Sequence, residues 1–296
     1  MIWILSIFTL CSVNASGLKT HFSTKESYDI LFGEDATIHA TTHITNIIRN
    51  GTEDLTASEI KNMEQLGILS QNGEISTFTP NDLDQVFVSE HFRFHYTNEG
   101  TDAVSDPNYI FQMAEVFEEV YSFYIDTLNF SAPVSDPASD DILYDVFVEN
   151  LPTYYFGITY TKNTSVSSPA CVSYIKMRNN YNGSQFSEHT ELENVQVTAV
   201  HEFFHAIQFS YNCYERFWFM EATAVWSEDE LYNNVNDHYR YISSWFSNIN
   251  KSLDDESSHM YGSFIFFQYI DEHLGGPNTI RLCWEKSHEL ASPIQD

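Results

Sequence analysis

The stretch that decides the fold is His201-Glu202-Phe203-Phe204-His205, followed sixteen residues later by Glu221. In a helix, residues four apart lie on one face, so His201 and His205 can direct ring nitrogens at one ion. Glu202 is rotated by about 100° from His201, which lets it serve a water beside the ion without being a ligand. Two histidines and one carboxylate leave the fourth tetrahedral position of zinc open. The sequence therefore predicts a Zn2+ site at His201, His205 and Glu221, with Glu202 as general base.

The residues around this motif have a helical pattern. An apolar stripe recurs at spacings of three and four and consists of Val197, Val200, Phe204 and Ile207, which is typical of an amphipathic helix packed on a core. Thr190 and Glu193 have the spacing of a capping box, which predicts a helix start near Glu191. Histidines buried in such a helix need polar partners, and a metal ion satisfies both. The alternative is a surface helix with two incidental histidines.

Four glutamates after the motif are candidates for the third ligand: Glu215, Glu221, Glu228 and Glu230. Glu215 follows His205 so closely that little chain is left for a return to the metal. Glu228 and Glu230 lie in an acidic run that is typical of a solvated helix end. Glu221 lies inside an apolar stretch, residues 217–226, where an ionised carboxylate is costly unless it is paired or metal-bound. The alternative is a buried Glu221 that accepts hydrogen bonds from Thr223 or Arg216.

The segments beyond the motif resemble a known family. The stretch from Trp218 to Trp226, of the form W-x-x-E-A-T-A-x-W, resembles the gluzincins of the peptidase-MA clan when it follows an H-E-x-x-H motif. Residues 261–270 with the glycines at 275 and 276 are similar to a later helix of that clan, and residues 90–96 and 109–127 to its opening strand and helix. The resemblance covers roughly residues 85–290. It implies a zinc metallopeptidase with a zincin-like α+β fold, in which a mixed-sheet N-terminal lobe and a helical C-terminal lobe flank the active-site helix.

The resemblance also implies roles for individual residues. Tyr261 corresponds to a tyrosine that donates a hydrogen bond to the tetrahedral intermediate, and His259 is the nearest alternative donor. Thermolysin-like members have an aspartate where this chain has Val225, so the acid that orients the first histidine must be another residue, Glu228 or Asp229. The G-x-M-E-N loop of the aminopeptidases has no match in this chain, which argues against an aminopeptidase specificity.

The function expected from these residues is that of a zinc-dependent peptidase, an endopeptidase in the simplest case, with a protein or peptide as substrate. Two alternatives stay open: an inactive zincin-fold binding protein that keeps its metal for structure, and a zinc hydrolase of non-peptide esters. Glu202 argues against the first, because a purely structural site has no use for a general base. The sequence does not separate the second from a peptidase, since an activated water can attack either acyl group.

The N-terminus predicts secretion. Residues 1–15 form an apolar run that ends in small residues at Val13-Asn14-Ala15, the pattern of a signal peptide, and the run is too short to span a bilayer. No later segment approaches 18 consecutive apolar residues, so no membrane anchor is expected after signal removal. Beyond the predicted signal peptide, five acceptor sequons for N-glycans support a secreted glycoprotein, at Asn50, Asn129, Asn163, Asn182 and Asn250.

The cysteines predict one disulfide. Cys11 lies in the signal, which leaves Cys171, Cys213 and Cys283, and no C-x-x-C pair suggests a zinc site among them. We expect Cys213 to pair with Cys171 or Cys283, with Cys171 preferred. Cys213 directly follows the metal helix, so this bond would hold the segment that delivers Glu221.

The net charge of −29 limits the partners of the protein. Such a surface repels nucleic acid and anionic membranes. We therefore expect neither as a partner, and the charge says nothing further about peptide specificity.

The chain divides into a signal peptide at 1–15, an N-terminal segment at 16–84 and a catalytic domain at 85–296. The N-terminal segment is polar, with one predicted helix at residues 56–66, and is interpreted as a propeptide or an ordinary subdomain. His21, His39 and His43 could supply a ligand that blocks the zinc, although exposed surface positions are the more usual expectation. Strands are predicted at residues 86–88, 92–96, 144–148 and 171–175, and a long helix across 109–127.

Overall fold

The computed structural model describes residues 22–33, 39–65, 68–69, 83–137, 139, 141–152, 154–162 and 169–291. The predicted signal peptide, His21 and the sequon at Asn163 lie outside these residues. The chain is a mixed α+β protein. Its helices are α1 Thr24–Phe32, α2 Thr41–Asn50, α3 Ala57–Gln65, α4 Pro107–Tyr121, α5 Glu191–Asn212, α6 Phe217–Tyr232, α7 Tyr239–Ser247, α8 His259–Gly262, α9 Phe264–Leu274 and α10 Pro277–Ala291. A π-helical turn, Ser122–Thr127, extends α4, and Ser184–Phe186 is a 3-10 turn.

The sheet has five strands in the order β1-β2-β3-β5-β4, namely β1 Gln85–Val88, β2 Phe92–Tyr96, β3 Tyr144–Glu149, β4 Gly157–Thr161 and β5 Ser173–Arg178. β2, β3 and β5 run parallel, whereas the two edge strands β1 and β4 are antiparallel to their neighbours. The strands expected at 86–88, 92–96 and 144–148 are confirmed, and the one expected at 171–175 begins two residues later. β4 was not predicted.

Both faces of the sheet are covered. Alternate residues of β3 and β5, such as Val146 and Ile175, join the main core, which includes α4, α5, α6 and the C-terminal helices. Phe147 and Tyr174 point the opposite way into a second cluster, together with Ile158 and Tyr160 of β4 and apolar residues of α1–α3. The described part of the N-terminal segment is therefore folded onto the outer face of the sheet.

The central helix α5 begins where the capping box predicted. Thr190 Oγ1 accepts from the Glu193 backbone N–H, and the Glu193 carboxylate accepts from the Thr190 backbone in return. The helix is 22 residues long, about 33 Å at 1.5 Å per residue, and it is buried on nearly every side from Asn194 onward. None of the helices among the described residues is long and apolar enough to cross a membrane.

A disulfide fixes the connection between α5 and α6. Cys171, just before β5, is bonded to Cys213 at the C-terminus of α5, with 5.8 Å between their Cα atoms. This is the preferred pairing of the sequence analysis, and Cys283 is buried and lies outside the bond. Arg216, the residue before α6, pairs with Glu256 at 3.0 Å. The disulfide and this ion pair together fix the start of α6 beside α5.

Candidate metal centre

Helices α5 and α6 bring the three predicted ligands together. The Nε2 atoms of His201 and His205 lie 3.1 Å apart. Glu221 Oε2 lies 3.3 Å from the first and 3.7 Å from the second. Ligands in a tetrahedral site with bonds of about 2.0–2.1 Å are separated by about 3.3–3.4 Å, so this triangle has the size that such a site requires. All three side chains are buried.

The opposite nitrogen of each imidazole has a hydrogen-bond partner. His201 Nδ1 lies 2.6 Å from Glu228 Oε1, and His205 Nδ1 lies 2.8 Å from Gln208 Oε1. The Gln208 side chain is held in this orientation because its Nε2 donates a hydrogen bond to Met220 O at 2.8 Å. When a metal is bound, these partners would keep the proton of each neutral imidazole on Nδ1 and direct both Nε2 lone pairs at the centre, the arrangement that outer partners impose on metal-binding histidines.

Glu221 completes the donor set. Its Oε1 accepts a hydrogen bond from the Thr42 hydroxyl at 2.8 Å, whereas its buried Oε2 accepts none from the described residues. A buried carboxylate oxygen without a donor is costly, unless a cation binds it. The alternative partners considered for Glu221 are engaged elsewhere: Thr223 donates to Phe219 O, and Arg216 pairs with Asp254 and Glu256. The residues at this site therefore fit a metal ion.

The charges around the cluster also favour a cation. Glu202, Glu221 and Glu228 are 2%, 0% and 3% exposed, so three carboxylates share one water-poor region. Burial lowers the pKa of His201, but the nearby Glu221 and Glu228 carboxylates outweigh this and raise it to about 10. Burial raises the pKa of Glu228 to about 7, against the opposing effect of His201. Without a metal, a proton on His201 offsets part of the negative charge of the three carboxylates. A divalent cation would offset more of that charge.

The expectation that Glu228 lies at a solvated helix end is wrong. Glu228 is buried beside His201, which makes it the acid that orients the first histidine. Its neighbour Asp229 faces His238 instead, at 3.6 Å. Glu215, also considered as a ligand, accepts a hydrogen bond from Ser287.

Glu202 lies beside the cluster, and a hydrogen bond from edge strand β4 helps to hold its carboxylate in place. Its Oε2 accepts hydrogen bonds from Thr159 Oγ1 at 2.7 Å and from Thr41 Oγ1 at 2.8 Å. The close approach of β4 depends on Gly157, where an added Cβ would lie 2.9 Å from Glu202 Cγ and 2.7 Å from Thr198 Cγ2. The carboxylate is thus positioned by strand β4 as well as by its own helix.

Two histidines of the N-terminal segment are buried, which corrects the expectation of surface positions. The ring of His39 stacks on that of His201 with 4.0 Å between centroids, and its Nε2 lies 2.6 Å from the Tyr241 hydroxyl. His39, His201 and Glu202 offer possible ligand atoms within 4.8 Å of one another. His43 packs edge-on against Phe217 instead, and burial lowers its pKa to about 4.

Tyr261 is buried in the short helix α8. Its ring lies 5.0 Å from that of His39 and 5.4 Å from that of Tyr241, so it lies on the same side of the cluster as His39. His259, the alternative donor, stacks on Trp245 with 5.5 Å between centroids. The catalytic role of Tyr261 stays a prediction.

Several residues of this centre were missed by sequence reasoning: Thr41, Thr42, Thr159, Gln208 and Tyr241. Gln208 follows His205 by three positions on one helix face, so the helical spacing could have indicated it. The three threonines and Tyr241 come from distant elements, and no local pattern marks them.

The fold and the site define an α+β protein with a buried histidine–carboxylate cluster that could hold a metal ion. A model of a family of unknown function, DUF6055, matches residues 69–296, and the chain belongs to that family. No curated protein and no solved structure matches the chain.

Proposed function

We propose that the protein is a secreted zinc-dependent peptidase of the gluzincin type. The observation that carries the proposal is the convergence of His201 Nε2, His205 Nε2 and Glu221 Oε2 in a triangle with sides of 3.1–3.7 Å. A nitrogen–nitrogen–oxygen set of this size suits tetrahedral zinc and leaves one position for water or substrate. The mixed sheet, with antiparallel edge strand β4 against α5 and a helical lobe that carries Glu221, is compatible with a zincin-like fold.

The intact Glu202 favours an enzyme over a binding protein. When bound, zinc would lower the pKa of a water toward about 7 and polarise the substrate carbonyl. Glu202 accepts the proton of the attacking water at a carboxylate oxygen and then donates it to the leaving amine. Glu228 and Gln208 keep the two imidazoles in the tautomer that directs Nε2 inward. Tyr261 is assigned as a donor to the developing oxyanion.

Secretion is supported by the surface and by the disulfide. The four sequon asparagines that the structure describes, Asn50, Asn129, Asn182 and Asn250, are all exposed, as glycan attachment requires. The Cys171–Cys213 bond fits an oxidising compartment. We therefore assign the protein to the secretory pathway or the extracellular space.

The proposal is tested by digestion of casein and of a peptide library, with metal content measured on the same samples. We expect the activity to be lost to a chelator and restored by Zn2+. Glu202→Gln should keep the metal and reduce turnover by about 10²- to 10⁴-fold, because the ligands remain while the base is lost. Hydrolysis of esters but not peptides would replace the peptidase with an esterase, and equal turnover by wild type and Glu202→Gln would reject the mechanism.

A further inference from the structure

The N-terminal end of helix α2 makes direct contacts with the candidate site. The Thr41 hydroxyl donates to Glu202 Oε2 at 2.8 Å and accepts from the Thr159 backbone N–H, also at 2.8 Å. The next residue, Thr42, donates to Glu221 Oε1. Two successive residues of the N-terminal segment therefore bind the proposed base and a proposed ligand.

These contacts occupy groups that a substrate would need. Oε2 of Glu202 already accepts hydrogen bonds from two hydroxyls, Thr41 and Thr159, so a water can approach this oxygen only if it replaces one of them. Thr159 lies in β4, an edge strand of the sheet, and an unpaired edge amide is where an extended peptide can add to a sheet. In this structure the Thr41 hydroxyl oxygen already accepts a hydrogen bond from this amide.

His39 fills the space next to His201. The residue is 7% exposed, and its ring stacks on that of His201 with 4.0 Å between centroids. Its Nε2 also forms a hydrogen bond with the hydroxyl of Tyr241 on α7. The contact therefore ties the N-terminal segment to the helical lobe across the site.

The site is closed while this segment is in place. His201, His205 and Glu221 are at most 1% exposed. The cavity beside His201 and Glu202 has a volume of about 10 Å³, room for about one water molecule. Clefts that bind organic ligands have volumes of about 300–1,000 Å³. Within the described part of the chain, the candidate metal position therefore has no room for a peptide in this state.

The closing segment is distinct from the family's common region. Helices α1, α2 and α3 all precede residue 69, where the family match begins. They pack through their own apolar cluster, with members such as Leu31, Ile44 and Ile47, on the outer face of the sheet. The remainder of the chain contributes all of the proposed ligands and the base.

We propose that residues 39–42 are an intramolecular plug that keeps the site latent, and that this plug must be displaced before a peptide can bind. The proposal rests on the proposed function for the identity of the substrate, but not for the closure itself. Displacement would expose the Thr159 amide, release Glu202 from one hydroxyl and open the space beside His201.

The test uses the full chain loaded with Zn2+ and the double variant His39→Ala, Thr41→Val. Thr42 is left unchanged because it orients a proposed ligand. The first readout is the rate at which dipicolinate extracts zinc, and the second is peptide hydrolysis. We expect extraction to be about tenfold faster or more, the factor expected when a charge-assisted hydrogen bond that holds a closed state is lost. Hydrolysis should increase by a similar factor.

Two control variants separate closure from general destabilisation. Thr45→Val changes a buried threonine of the same helix whose hydroxyl makes no hydrogen bond among the described residues, and it should behave as wild type. Thr41→Ser keeps the hydroxyl and should stay closed. If the double variant does not fold, the nearly isosteric Thr41→Val alone should still accelerate extraction severalfold, with unchanged circular dichroism.

The two readouts distinguish a failure of the plug proposal from a failure of the proposed peptidase function. Faster extraction without peptide hydrolysis would support the plug and reject the peptidase. Extraction and hydrolysis at wild-type rates in a folded Thr41→Val variant would overturn the plug. A wild-type chain that already hydrolyses peptides as fast as the double variant would also overturn it, while supporting the proposed function.

Discussion

Replacement of Glu228 should weaken metal binding without removing a ligand. The Glu228 carboxylate lies 2.6 Å from His201 Nδ1, and both side chains are at most 3% exposed. Loss of such a partner typically costs 10- to 100-fold in metal affinity, about 1.4–2.8 kcal/mol. Glu228→Ala also leaves the buried Nδ1–H without an acceptor, so we expect the upper end of this range. Glu228→Gln keeps an acceptor oxygen and loses only the charge, so we expect about tenfold.

The assay is competition for zinc between the metal-free protein and a fluorescent chelator at fixed pH. Asp229→Asn is the matched control, because Asp229 is the next residue, carries the same charge and faces His238 rather than the cluster. Thermal unfolding of each metal-free variant verifies that it is folded. Equal affinity of Glu228→Ala and wild type would refute the role of Glu228. A loss of zinc affinity in Asp229→Asn but not in Glu228→Ala would assign that role to Asp229.

Three further predictions concern the oxyanion donor, the pH dependence and the disulfide. Tyr261→Phe should lower kcat and kcat/KM together by roughly a hundredfold, with KM and thermal stability nearly unchanged, and wild-type turnover would return Tyr261 to a packing role. Because the pKa of His201 is raised to about 10, metal binding displaces a proton, so zinc affinity should fall about tenfold per unit of pH from 8 to 6; an affinity independent of pH would contradict this. Reduction of Cys171–Cys213, which closes a separation of 42 residues, should cost about 4 kcal/mol of unfolding free energy in the chain-entropy estimate, and an unchanged urea midpoint would disprove it.

Local patterns in the sequence were sufficient for the elements that carry the ligands. The capping box at Thr190 and Glu193 located the start of α5, because its two hydrogen bonds depend only on residues three apart. The apolar stripe along that helix indicated that it would be buried. The alternation in β2 and the Val-rich β3 gave their positions. Each of these signals is carried by neighbours within a few residues of one another.

Helix α2 and strand β4 were not predicted, and each departs from the usual pattern for a physical reason. α2 has three threonines and two asparagines in ten residues, which are weak helix formers. Its Thr41 and Thr42 are buried because they contact the site rather than solvent. β4 alternates Ile158 and Tyr160 with Thr159 and Thr161, but all of its residues are buried, so the alternation does not separate a core face from a solvent face. Its Thr159 faces Glu202, and the need for a hydroxyl there arises only in the folded structure. Elements shaped by contacts with distant residues cannot be identified from their own sequence.

Glu221 and Glu228 show how one argument about burial gave both a correct and a wrong prediction. Glu221 was selected because its neighbours are apolar, and the structure buries it completely. Glu228 was assigned to solvent because its neighbours are acidic, yet it follows Glu221 by seven residues, two turns along the same helix face. A face of α6 that directs Glu221 at α5 must direct Glu228 there as well. Helical phase, rather than local composition, decides the burial of a charged residue that has a partner across the interface.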